Sequence, residues 1–214
     1  MHSKKCTPTR KIGPVTLSSK RRMTASSERV ESIEDSPRLT LPVSERRDHF
    51  QGPRAARVVL VEYGDYQCPY CGEAYPIIKK IQEKFGNNLR FVFRNFPLTH
   101  IHPRAEFGAE IAEAAAAQGK FWEMHDFVYE NQKSLDNEDF FLKFADKKLA
   151  LDKEKIRQAV AQHAFAPRIR EDFMSGVRSG VNGTPTLFIQ AHRHNGSYEF
   201  KVLDEEIKSL ISKS

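Results

Sequence analysis

Cysteine is scarce in this 214-residue chain: Cys6, Cys68 and Cys71 are the only three. Three thiols cannot form the framework that staples small secreted domains, and a chain this long can bury a sizeable core without one. Long apolar runs are also missing, which excludes a membrane-spanning helix. Gly13, Pro14 and Thr16 interrupt the stretch from Ile12 to Leu17, so no secretory leader is expected. Acids are absent from the first 27 positions, where Ser, Thr, Lys and Arg predominate. That stretch reads as a disordered tail, or as an upstream start with translation from Met23; an organelle transit leader is the alternative. Without a leader, the reducing cytoplasm is the expected compartment. Of the net charge of +6, residues 1–50 carry most, with 11 of the 34 Lys/Arg against 6 of the 28 Asp/Glu. The remainder is nearly neutral, so a basic face for nucleic acid is not indicated.

Against this background Cys68-Pro69-Tyr70-Cys71 stands out. It follows the apolar run Val58–Tyr63, which suits a buried strand, and opens a helical pattern with Ala74, Ile78, Ile81 and Phe85 on one face. Two thiols three positions apart at a helix start share a face and can bond as a disulfide with little backbone movement. The first sits where unpaired N–H groups and the positive dipole end favour a thiolate. Lowering a thiol from about 8.5 to about 7 raises its thiolate fraction at neutral pH from roughly 3% to roughly 50%. Alone, the pair also fits half of a zinc site, with His100 and His102 as further ligands. Their spacing is shorter than the roughly 3–5 residues usual between zinc-finger histidines, and no metal or other cofactor is expected. The other histidines form no readable ligand pattern.

The organisation follows from periodicity. Residues 1–50 read as a mostly disordered basic extension and 51–214 as one domain. Pro69 is tolerated in the first helical turn, whereas Pro76 removes a backbone bond further in, which predicts a kink near Gly72. Gly86-Asn87-Asn88 ends the helix, and Leu89–Asn95 alternates as a strand, giving a right-handed βαβ unit with a parallel pair. Five helical segments fill about 104–180, Ala-rich at first; Gly108 and its alanines suit close helix packing or simply high helix propensity. Thr186–Ile189 and Tyr198–Val202 read as strands joined at Asn195-Gly196, a strong hairpin signal, before an amphipathic helix over 204–212.

Further residues narrow the reading. Val181-Asn182-Gly183-Thr184-Pro185-Thr186 resembles the cis-proline loop of the thioredoxin fold, Pro76 stands where thioredoxins kink their first helix, and Glu62 falls where that fold often buries an acid. The βαβ-then-ββα order with a large helical insertion resembles the DsbA-like branch. Arg94–Leu98 and Gly119–His125 resemble a group related to the thioredoxin-like domain appended to some sodium/proton antiporters. The resemblance covers about residues 45–214. Two departures stand out: Pro-Tyr lies between the cysteines, where strongly oxidising DsbA proteins have Pro-His, and Gln190-Ala191 replaces a frequent Asn-Gly.

The resemblance implies a thiol-disulfide oxidoreductase. Cys68 would be the nucleophile and Cys71 the resolving thiol, joined as a redox-active disulfide when oxidised. Pro69 and Tyr70 would support the pair. A cis Pro185 would face the thiols, leaving the Thr184 backbone free to pair with an extended substrate chain. Glu62 either relays the Cys71 proton from a buried position or is a strand-end carboxylate in water. Expected partners are protein thiols and disulfides, with glutathione or a thioredoxin-type protein as reductant, and neither nucleic acid nor membrane; the oligomeric state is open. The alternative is a non-catalytic thioredoxin-like module that binds peptides beside Pro185.

Overall fold

A computed structural model describes residues 37–213. Its centre is a five-stranded mixed sheet of order β1-β3-β2-β4-β5, formed by His49–Gln51, Val58–Gly64, Leu89–Asn95, Thr186–Ile189 and His192–Arg193. β2 and β3 run parallel; the other three pairings are antiparallel. β2 is rich in valine and β3 carries Phe91, Val92 and Phe93, residue types that fit a pleated surface covered on both faces. The helices are α1 (Pro69–Phe85), α2 (Ala105–Ala116), α3 (Phe121–Glu130), α4 (Glu138–Leu149), α5 (Lys153–Ala161), α6 (Ala166–Arg178) and α7 (Phe200–Lys213). α2 to α6 form the expected insertion.

Alternation along the strands sorts the core into two sides. Register sets Glu62 between Phe93 and Leu187. Phe93 meets Tyr66 and the α3 residues His125 and Tyr129, so this face lies under α3 and the start of α1. Register also sets Tyr63 beside Arg94 and Thr186 on the other face, where the Tyr63 hydroxyl hydrogen-bonds to Ser175 of α6 at 2.8 Å. Gly108 resolves its ambiguity by contact: a Cβ there would lie 2.6 Å from the Cβ of Tyr66, so α2 packs at glycine distance. Pro76 lies inside α1, which is assigned without a break across the expected kink.

Three expectations need correction. Of the extension expected over 1–50, residues 37–50 are folded onto the body, and residues 1–36 lie outside the described residues. The cause is Arg94, which is 0% exposed. Its guanidinium donates to the Leu41 carbonyl at 2.9 Å, the Pro42 carbonyl at 3.2 Å, Tyr63 Oη at 2.9 Å and both Asp48 oxygens at 3.0 and 3.2 Å. A buried cation needs such partners, and the segment before β1 supplies them. Second, the hairpin turns at Gln190-Ala191, not at Asn195-Gly196. Both turn residues have positive φ, 51° and 67°, and Gln190 is anchored by side-chain bonds to Val59 N and Arg57 O, each 3.0 Å. Third, Tyr198–Val202 is no strand. Tyr198 is buried with its hydroxyl on Glu73, and helix begins at Phe200, since Leu203 and Ile207 bury with helical spacing.

Candidate active site

Cys68 is the N-cap residue of α1, with extended backbone, and Cys71 lies in the first turn. Asp65 shapes this start: one carboxylate oxygen accepts the Gln67 N–H at 2.8 Å and the Cys68 N–H at 3.1 Å. From the short 3-10 turn after α3, Gln132 donates to the Tyr66 and Cys68 carbonyls at 2.9 and 3.0 Å. The two cysteines are in the dithiol form, not joined as a disulfide. The Cys71 thiol is pushed well up, first by burial and next by a side-chain hydrogen bond with Cys68. Cys71 therefore holds its proton and shares it with its neighbour.

The loop from the insertion closes over the pair. The Thr184–Pro185 peptide is cis, both residues are buried, and the Cys68 thiol donates to the Thr184 carbonyl at 3.4 Å. Arg193 braces the loop through the Gly180 carbonyl at 2.6 Å and the Asn182 amide oxygen at 2.9 Å. Glu62 is 3% exposed, which decides against the carboxylate in water. Its pKa is pushed up to about 8, first by burial and then by the charge of Cys68. Pro69 is exposed at the first helical turn, and Tyr70 packs half-buried against the core. Cys68 itself is 0% exposed, as is Cys71. A substrate disulfide can reach the Cys68 sulfur only if its cover moves.

Several neighbours escaped the sequence reading. The second Asp65 oxygen accepts the Leu98 N–H and faces His102 Nδ1, both at 2.8 Å. His102 is pushed up because its hydrogen bond to Asp65, joined by the charges of Asp65 and Cys68, outweighs burial. Tyr198 feels both thiols from the segment before α7, though burial is the main cause of its raised pKa and Glu73 the second. Asp65 bonding the N–H two residues on is a turn habit of aspartate that the sequence can show. His102 gives no such signal, because its partner lies 37 residues away. The zinc alternative does not assemble: His100 is exposed and His102 is turned to Asp65. Among the described residues the group spaced for a common ion is Glu106, Glu110 and His163, which excludes both cysteines.

A thiol pair at the first helix of a βαβ unit, beside a cis-proline loop and with a helical block between the halves, is a thioredoxin-like fold of the kind seen in DsbA-like structures. Residues 44–209 match the thioredoxin family, and the chain belongs to it. Over 174 residues it is 45% identical to the Na(+)/H(+) antiporter NhaA 1 of Salinispora arenicola, covering 81% of this chain and 26% of that protein. The chain thus spans about a quarter of the length of the curated relatives it matches. Among solved structures it is similar to oxidised BdbD from Bacillus subtilis, with TM-score 0.72, 20% identity, and 83% and 97% of the two chains covered. Similarity to alpha-DsbA1 of Wolbachia pipientis gives TM-score 0.70 at 22% identity, covering 82% and 95%.

Proposed function

We propose that this protein exchanges disulfides with protein or small thiols through Cys68 and Cys71. The observation that carries the reading is the hydrogen-bonded dithiol pair at the N-terminus of α1, with the Thr184 carbonyl on one side and the raised carboxyl of Glu62 nearby. In the reducing direction the Cys68 thiolate attacks one sulfur of a substrate disulfide. A mixed disulfide forms and the other substrate sulfur leaves as a thiolate. Cys71 then loses its proton to Glu62 and attacks Cys68, forming the Cys68–Cys71 disulfide and releasing the second substrate thiolate. Two electrons pass from the dithiol to the substrate; the oxidising direction is the reverse, with a substrate dithiol as donor. A thiol reductant, glutathione or a thioredoxin-type protein, would restore the dithiol. A cytoplasmic setting stays with the proposal. Antiport belongs to the longer relatives and is not carried over; among the described residues no helix is long and apolar enough to cross a membrane.

The test is turnover of insulin disulfides with dithiothreitol or glutathione. Cys68→Ser should abolish it, and Cys71→Ser should accumulate mixed disulfides through Cys68. Wild-type rates in both variants would sink the proposal and favour a non-catalytic binding module. Direction follows from the potential of the pair by glutathione equilibration, where about 30 mV is a tenfold change in equilibrium.

A further inference from the structure

Asp65 raises a problem for the reading above. Asp65 is 1% exposed and its carboxylate accepts the Cys68 N–H at 3.1 Å in the turn that leads into α1, so it places a buried negative charge beside the residue that would carry the thiolate. Two anions at one helix start repel each other. The other carboxylate oxygen meets His102 at 2.8 Å, and the His102 side chain is 12% exposed. Besides Asp65, the titratable groups that feel the charge of Cys68 are Glu62 from β2, Cys71 from α1, His102 from the segment between β3 and α2, and Tyr198 from the segment before α7. Of these, His102 is the one that becomes positive.

We propose that His102 is a positioning residue for disulfide exchange: held by Asp65, it neutralises that carboxylate, so that Asp65 shapes the turn into α1 without repelling the Cys68 thiolate. This rests on the thiol-exchange reading. Coupling is reciprocal: the Cys68 charge favours protonated His102, so protonated His102 favours the thiolate by the same amount. The sequence carries no histidine between the cysteines, and tertiary contact brings one to their flank from 34 residues beyond Cys68. The pair also explains why Asp65 is fully engaged, with two backbone donors on one oxygen and a third backbone donor plus the imidazole on the other.

The experiment is a thiolate titration by absorbance at 240 nm on the full chain carrying Cys6→Ser and Cys71→Ser, so that Cys68 alone reports. His102→Gln keeps a donor for Asp65 but removes the charge. It should move the titration midpoint upward and lower the rate of mixed-disulfide formation below that midpoint by about threefold or more. In an Asp65→Asn background the same histidine change should move the midpoint by clearly less, because there is no carboxylate left to neutralise and only the direct attraction between His102 and the thiolate remains. An unmoved midpoint in His102→Gln, or an equal shift in both backgrounds, overturns the proposal. Urea unfolding of each variant separates loss of fold from loss of charge. Insulin turnover, measured in the otherwise wild-type chain, separates the two readings. The expected shifts without any turnover sink the exchange reading and leave the charge relation standing. Turnover without the shifts sinks only the role of His102.

Discussion

Glu62 and Arg94 sit on neighbouring strands, both almost completely buried, and face opposite sides of one sheet. On the α6 side Arg94 is surrounded by Asp48, Tyr63 and two backbone carbonyls. On the α1 side burial pushes Glu62 up to about 8, with the Cys68 charge adding to it. One buried ionisable group is satisfied where it stands; the other is held near a neutral form. The first arrangement ties the chain before β1 to the body. The second leaves a raised carboxyl under the influence of the Cys68 charge, which the proposed exchange would use to move a proton and for which a satisfied ion pair would be inert.

The comparison can be broken most severely on the Arg94 side. Asp48→Ala should cost about 3–5 kcal/mol in urea unfolding, because it leaves a buried guanidinium without its carboxylate. A loss under about 1 kcal/mol would mean that the carbonyls and Tyr63 suffice. On the opposite face Glu62→Gln should slow resolution of the mixed disulfide by about 10²-fold in stopped-flow mixing while leaving its formation nearly unchanged. Its stability effect has a defined sign. A raised folded-state pKa means the contribution of Glu62 is complete below its ordinary value of 4.5 and is lost as pH rises toward about 8. The glutamine variant should therefore gain on wild type across that window and level off above it. A pH-independent difference would return Glu62 to solvent.

Smaller effects probe the edges of the site. Tyr198→Phe removes the 2.9 Å bond to Glu73 and should cost about 1 kcal/mol, read as a lower urea midpoint. Ala191→Gly should stabilise by about 1 kcal/mol, because Ala191 holds φ at 67° in the hairpin turn. A fall in melting temperature for that variant would mean that the turn is held by something other than local conformational preference.

Much of the fold was readable because its signals are local. β3 spans Leu89–Asn95 as its alternation predicts, and α1 opens at Pro69 where the proline signal puts it. The hairpin misreading has a definite cause. Asn195-Gly196 carries the usual turn signal, yet His194 is engaged by Glu206 at 2.6 Å and by the Ser197 carbonyl at 3.0 Å, which makes this a loop into α7. Gln190-Ala191 has no intrinsic preference for positive φ and turns because its flanking strand pairs with β2.

The sequence by itself determined the thiol pair at a helix start, the βαβ order, the cis-proline loop motif and the helical block, since each depends on spacing within a few residues. Tertiary structure decided which charges surround the sulfurs. It buried Glu62, brought His102 to Asp65 and folded Asp48 under Arg94, pairs separated by tens of residues. Local pattern carries no record of such pairs. Whether a buried charge is neutralised or left perturbed depends on what other parts of the chain bring within hydrogen-bond reach.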